Sequence, residues 1–268
     1  MKSPNIKVAL DILDQADDSF TARAYTQALA QRLNISPRKA RQELRALVET
    51  RELSYQDLYG STRITKSFLK PVAISPHFIL APPDTPVEPK AFSIRISQGI
   101  SFGSGQHPTT QLCMEALDRF FFKTPSPEKF HPLAGADVGT GSGVLAMAMC
   151  RGGLGRCRAW EIDPNAAHEA RRNIALNNLS HRIQLHEEFM PEARDEFSLI
   201  CANLRYPTLR ELAPLFRTNA TSQGTLILSG IREWETQDLV DHYENAGFIC
   251  QEIRHRKKWG AVVFQGKK

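Results

Sequence analysis

Residues 133–150 read LAGADVGTGSGVLAMAMC, and the fold turns on how this stretch is parsed. A short apolar run ends at Asp137-Val138, and Gly139-Thr140-Gly141-Ser142-Gly143 follows. The next stretch, VLAMAMCRGG, has helical character and stops at Gly152-Gly153. Strand, glycine turn and helix in that order is the context that gives a glycine pattern meaning. Glycines at a turn let the backbone pass close to a ligand where a Cβ would collide. The spacing is G-x-G-x-G, not the dinucleotide G-x-G-x-x-G, so the turn alone decides little.

The residues that follow add to it. A second strand is expected over Arg158-Ala159-Trp160, ending at Glu161-Ile162-Asp163. Glu161 stands about 20 residues past the glycines, where an acidic side chain meets ribose hydroxyls. A carboxylate suits a neutral diol and would repel the phosphate of NADP. Asp163-Pro164 caps and opens the next helix, NAAHEARRNIALNN, because proline tolerates the first helical turn. Further on, SLICANL reads as a strand ending at Ala202-Asn203-Leu204, with LRELAPLF, TLILSGI and a last strand AVVF behind it.

Upstream, residues 71–90 hold Pro71, Pro76, Pro82, Pro83, Pro86 and Pro89, which rules out a continuous helix or central strand. This stretch is read as a linker between an N-terminal domain over 1–70 and a larger domain over 91–268. In the smaller domain, residues 5–16 place apolar side chains at helical spacing. Thr21 reads as an N-cap ahead of a stripe of Tyr25, Leu29 and Leu33. Ser36-Pro37 reads as N-cap and first residue of a third helix, with Arg38, Lys39, Arg41 and Arg45 off its apolar face. A hairpin is expected across Gly60-Ser61. Three helices and a hairpin give the order of a winged helix, in which the basic third helix takes the position that enters a major groove. Winged helices also serve as protein-docking modules, so a nucleic-acid site at Arg38, Lys39, Arg41 and Arg45 stays an open alternative.

At 268 residues, 41% hydrophobic and 24% charged, the chain is long enough for two globular domains. No apolar run approaches the ~20 residues needed to span a bilayer, and the start shows no signal-peptide pattern. A cytoplasmic protein is expected. The formal charge is +5, and residues 1–70 hold 12 Lys/Arg against 8 Asp/Glu. The five cysteines are scattered and never form a C-x-x-C pair, and the eight histidines lack zinc-type spacing. Reduced core thiols and no metal are expected.

Glycine turn, acidic strand end and Asp-Pro helix start together resemble a class I methyltransferase. More narrowly, residues 95–230 resemble the PrmA family, which methylates amino groups of a large-subunit ribosomal protein. Three stretches carry the match: Gln98-Gly99-Ile100-Ser101-Phe102-Gly103-Ser104-Gly105-Gln106-His107-Pro108-Thr109-Thr110, the glycine turn, and Ala202-Asn203-Leu204 with Ser229-Gly230 beyond it. Lys258-Trp259-Gly260 before the last strand also fits. The resemblance implies an α/β fold, a Rossmann-like methyltransferase domain with a seven-stranded, mostly parallel sheet, here behind a small α+β winged-helix-like domain. It implies S-adenosyl-L-methionine as cofactor, with contacts at Phe102, Thr110, Asp137, Gly139, Gly141, Gly143, Glu161 and Asn203. It puts Asn203, and Tyr206 beside it, at the catalytic position, although Asn203-Leu204-Arg205-Tyr206-Pro207 only faintly resembles the N-P-P-Y of amine-methylating enzymes. Tyr206 either packs over the target or simply packs. Glu161 departs from the family's usual aspartate by one methylene. His107, beside a proline in a turn, is read as a structural hydrogen-bonder.

The family's N-terminal domain is of ferredoxin-like type, and residues 1–70 do not show that alternation. The expected activity is methylation of protein amino groups, lysine or α-amine, with a ribosomal protein as candidate partner. The alternatives are a DNA or RNA methyltransferase that grips nucleic acid through the winged helix, and a cofactor-sensing transcriptional regulator. A dehydrogenase is disfavoured by the G-x-G-x-G spacing and the His107-Pro108-Thr109-Thr110 loop.

Overall fold

The computed structural model describes residues 4–16, 20–58, 61–86, 92–97, 103–123, 133–192 and 196–267. The chain divides into two compact units, Met1–Val72 and Ala73–Lys268.

The first unit runs α1 (Pro4–Asp14), β1 (Phe20–Thr21), α2 (Ala22–Leu33), α3 (Pro37–Glu49), β2 (Leu53–Leu58) and β3 (Ser61–Lys66). The expected caps form. Thr21 accepts a hydrogen bond from the Ala24 amide at 3.2 Å and Ser36 from that of Lys39 at 3.3 Å, each satisfying an amide with no partner inside its helix. Leu13, Leu29, Leu44, Leu47 and Ile64 close one core, and the buried Tyr25 hydroxyl donates to the Ala9 carbonyl at 2.7 Å. The hairpin pairs Leu53 with Lys66 and Leu58 with Ser61; its turn residues lie outside those described. The two-residue β1, too short to leave a periodic trace in sequence, adds a third strand in the order β1-β3-β2. This is the winged-helix arrangement.

The second unit is built on a seven-stranded sheet of β7 (Ala134–Val138), β8 (Arg156–Trp160), β9 (Ile183–His186), β10 (Phe197–Asn203), β11 (Ala220–Arg232), β12 (Phe248–Arg256) and β13 (Trp259–Gly266). The order is β12-β13-β11-β10-β7-β8-β9, and only β13 runs against its neighbours. This is the expected Rossmann-like sheet. From β7 the chain winds outward through β8 and β9, then returns to β10 and β11 on the other side. Right-handed crossovers then place the intervening helices on opposite faces. Helices α4 (Pro108–Phe122), α5 (Val144–Gly152) and α6 (Pro164–Leu176) form one layer; α7 (Tyr206–Asn219) and α8 (Thr236–Asn245) form the other. The reversal falls between β7 and β10, and in open α/β sheets ligands bind in the crevice beyond the carboxyl ends of the strands at such a point. Among the described residues no helix is long and apolar enough to cross a membrane. All five cysteines are free thiols, four of them buried.

Within the proline-rich stretch read as a linker, the structure differs from expectation. After the short β4 (Val72–Ala73), β5 (Phe78–Ala81) pairs in parallel with β6 (Phe92–Arg95), and Phe78 and Leu80 are buried. The physical reason is that Pro76 and Pro82 bracket a proline-free run, so every amide the strand needs is available. Asp118 of α4 anchors the approach to β5. Its carboxylate accepts from the Ser75 hydroxyl at 2.5 Å and the His77 amide at 2.9 Å, and it pairs with His77 Nδ1 at 2.9 Å. Asp118 is buried, so truncation strands those donors. Asp118→Ala is expected to cost about 2 kcal/mol and to lower the urea midpoint, whereas Asp118→Asn retains about half of that stability. Equal midpoints for wild type and Asp118→Ala would refute the anchor.

Candidate active site

The crevice begins with the turn that follows β7. Gly139, Gly141 and Gly143 have φ of 71°, 55° and 83°, a region that side-chain-bearing residues rarely adopt. At Gly139 a Cβ would also sit 2.3 Å from the Leu204 side chain at the end of β10. The turn is held from every side. The Asp137 carboxylate accepts from the Thr140 hydroxyl at 2.5 Å and from the Ala146 amide at 2.9 Å, joining the strand end to the first turn of α5. The amides of Gly139 and Thr140 donate to the Trp160 carbonyl. The Ser142 hydroxyl donates to the Gly103 carbonyl at 2.9 Å, and the buried Asn173 amide of α6 donates to the Ser142 carbonyl at 3.0 Å.

Glu161 reaches back over this turn. One carboxylate oxygen accepts from the Gly141 amide at 2.9 Å and the other from the Asp163 amide at 3.0 Å. Asp163 in turn caps α6, accepting from the Asn165 amide at 2.9 Å. The half-buried Glu161 thus lies just past the carboxyl end of β8, against the glycine turn. Asn203 ends β10 across the reversal point. It is buried, its amide nitrogen donates weakly to Thr110 of α4 at 3.4 Å, and its Oδ1 has no partner among the described residues. A buried acceptor left open at a crevice is a group waiting for a donor.

Asp137, Gly139, Gly141, Gly143, Glu161, Asn203 and Thr110 are therefore gathered at the carboxyl ends of β7, β8 and β10. Thr110 is fully buried and reaches the crevice through Asn203. Phe102 lies outside the described residues. Tyr206 opens α7 and packs against the main core, with the Arg210 guanidinium 5.8 Å from its ring centroid; of its two readings, packing is the one the geometry displays. His107 caps α4, with its Nδ1 accepting from the Thr109 amide at 3.3 Å. Burial, then the Arg232 charge, lowers its pKa to about 4, so it is neutral at pH 7 and acts as a cap.

Sequence reasoning missed the asparagines of α6. Asn173 and Asn177, one turn apart, both bond the backbone around β6: Asn173 accepts from the Ser97 amide, while Asn177 exchanges two bonds with Arg95. Two buried amides on the inward face of an otherwise amphipathic helix were the available signal. On the third helix of the first unit, Arg38, Arg41, Arg45 and Lys39 are all exposed. At about 100° per residue the three arginines share a stripe, and Lys39 falls about 160° from Arg41. The three arginines thus share one face of the helix, and Lys39 stands off it.

A family model described as ribosomal protein L11 methyltransferase (PrmA) matches residues 13–267. Among curated proteins, a ribosomal protein L11 methyltransferase of Pelobacter propionicus is 36% identical over 207 residues, covering 75% of this chain and 64% of that protein. One from Bacillus cereus is 34% identical over 206 residues, covering 74% and 62% respectively. The chain thus spans just under two-thirds of the length of these relatives. A crystal structure of a ribosomal protein L11 methylase from Lactobacillus delbrueckii subsp. bulgaricus is similar at a TM-score of 0.64 and 27% identity, over 75% of this chain and all of that one.

Burial raises the Asp137 pKa from 3.8 to about 6, against the two donors that lower it. The folded state then binds a proton more tightly than the unfolded chain does. The stability this carboxyl contributes is complete below about pH 4 and is lost as pH rises through about 6. Asp137→Asn is expected to flatten the fall in melting temperature between pH 4 and 6 relative to wild type. Parallel curves for the two proteins would show that the group titrates normally.

Proposed function

The chain belongs to the ribosomal protein L11 methyltransferase (PrmA) family, and from that premise we propose that it transfers a methyl group from S-adenosyl-L-methionine to a protein amino group. The target class is a lysine or an α-amine, in a ribosomal protein. One observation carries the reading: a glycine turn, the carboxylate of Glu161 and an acceptor of Asn203 that has no partner among the described residues meet at the reversal point of the sheet. These residues fit that cofactor. Three left-handed glycines give a path without side chains, Glu161 offers oxygens to a ribose diol, and Asn203 holds an open acceptor where strand ends converge.

When bound, the cofactor supplies an electrophilic methyl on a sulfonium. The chain supplies alignment. Asp137 fixes the turn from beneath, so the backbone of Gly139 and Gly141 is set before any ligand arrives. Glu161 already bonds the Gly141 amide and can exchange that partner for ribose hydroxyls. Asn203 Oδ1 accepts an N–H of the incoming amine and aims its lone pair. A lysine, with an unperturbed pKa of ~10.4, must first lose a proton, and a partly desolvated crevice favours the neutral amine. Holding amine and methyl in line lowers the barrier by ~7–11 kcal/mol, so no strong base is required, and His107, neutral and engaged as a cap, is not one.

The test is transfer of labelled methyl from the cofactor into fractionated ribosomal material, followed by protease or nuclease digestion. Label released by protease and retained through nuclease is expected. Asn203→Ala should lower kcat by about 10- to 100-fold with cofactor Kd little changed, and Glu161→Ala should weaken cofactor binding by a similar factor. Label lost only to nuclease would replace the protein target with a nucleic acid. Tight NAD binding without binding of the methyl donor would remove the reading altogether.

A further inference from the structure

The winged-helix unit carries a concave surface that the linear sequence does not display. A groove of about 820 Å3 runs between α2 and α3 and ends at Tyr55 of β2. Arg23, Gln27 and Gln31 line one side, spaced one turn apart along α2; Arg41 and Arg45 line the other, one turn apart along α3. The floor is small and weakly polar: Thr26, Ala30 and Leu44. None of the eleven lining residues is acidic.

Two features distinguish these cations from a solvated basic face. Among the described residues, no ion pair or hydrogen bond engages the guanidinium of Arg23, Arg41 or Arg45, whereas Lys66 and Lys70 of the same unit are paired with Asp14 and Glu52. Arg41 and Arg45 also form a like-charge pair at i, i+4, an arrangement that weakens an isolated helix. Unpaired cations facing one another across a concavity are an anion site, and the guanidinium fork matches phosphate oxygens two at a time. The aromatic ring is the second feature. Tyr55 is 48% exposed at the end of the groove, a π-face with no ring or cation partner among the described residues, beside a run of cations. A basic groove that tracks a backbone, with an aromatic platform for a base, is the chemistry that holds a single strand. A duplex reader instead presents a convex helix to a major groove.

We propose that the α2–α3 groove binds single-stranded nucleic acid, with phosphates on Arg23, Arg41 and Arg45 and a base stacked on Tyr55. The site is independent of the methyl-transfer reading and stands or falls without it.

The experiment uses the full chain without cofactor. Fluorescein-labelled 15-nucleotide oligouridylate, the matching deoxyoligonucleotide, a blunt DNA duplex and polyglutamate are titrated by anisotropy between 50 and 300 mM KCl. Either single strand should bind, with log K falling against log[KCl] at a slope of about −2 for three phosphate contacts. The double variant Arg41→Gln/Arg45→Gln should lose at least about tenfold in affinity at 50 mM KCl and flatten the slope to about −1. Tyr55→Ala should weaken binding by about tenfold with the slope unchanged, because stacking releases no counterions; Tyr55→Phe should restore it. Lys39→Gln, away from the groove, should stay within about twofold of wild type. All these positions are exposed, and matching thermal melts establish that each variant is folded. The proposal is overturned if no single strand binds at 50 mM KCl, if duplex or polyglutamate binds more tightly, or if folded variants at Arg41, Arg45 and Tyr55 keep wild-type affinity.

Discussion

A single buried carboxylate organises the catalytic unit. Asp137 stands at the carboxyl end of β7, beside the central strand β10, and is fully buried, a placement that disfavours its charge. It is retained because the Thr140 hydroxyl and the Ala146 amide both donate to it, one from within the glycine turn and one from the first turn of α5. The turn therefore has one conformation, and that conformation demands positive φ at three positions. Close packing follows from the same constraint. A Cβ on Gly139 would strike the Leu204 side chain, and a Cβ on Gly230 would come within 2.2 Å of the Leu204 carbonyl. The ends of β7, β10 and β11 meet around Leu204 because two of them carry no side chain at the point of contact. Asn203, the residue before, is thereby presented at the reversal of the sheet.

Local chemistry made much of this legible in the sequence. Thr21, Ser36-Pro37 and Asp163-Pro164 mark helix starts through a hydroxyl or carboxylate that only an amide at a helix terminus would use. The glycine turn and Glu161 are separated by the length of one helix and one strand, so their meeting at the sheet edge follows from the βαβ path. What the sequence hid is what depends on partners far apart in the chain. The Asn177–Arg95 pair spans 82 residues and the Asn203–Thr110 contact 93. Strand β5 escaped because prolines on either side masked a run of only four residues. The separation of Lys39 from the arginine stripe was present in the helical period, whereas the groove that Tyr55 and Arg23 both line needed the folded unit.

The charge pattern around the glycine turn bears on the methyl transfer proposed for this chain. When a neutral amine attacks a sulfonium methyl, positive charge passes from sulfur to nitrogen and its total is unchanged. A site for that event needs acceptors fixed along the path, and it gains nothing from a strong base that would hold a proton of its own. The residues present conform to that demand. Asn203 offers a neutral oxygen, Glu161 a carboxylate beside the turn, and His107, whose ring would be the obvious base, has its Nδ1 committed to the start of α4. Arg232 then becomes part of the same arrangement. Its guanidinium stacks 3.7 Å from the Trp259 ring centroid, and Trp259 meets His107 edge-on. Burial of the imidazole, and after it the Arg232 charge, keep it unprotonated. The histidine is thus held neutral first by its burial and then by a cation stacked on an aromatic face, and the cap of α4, which carries Thr110 to Asn203, does not titrate in the neutral range.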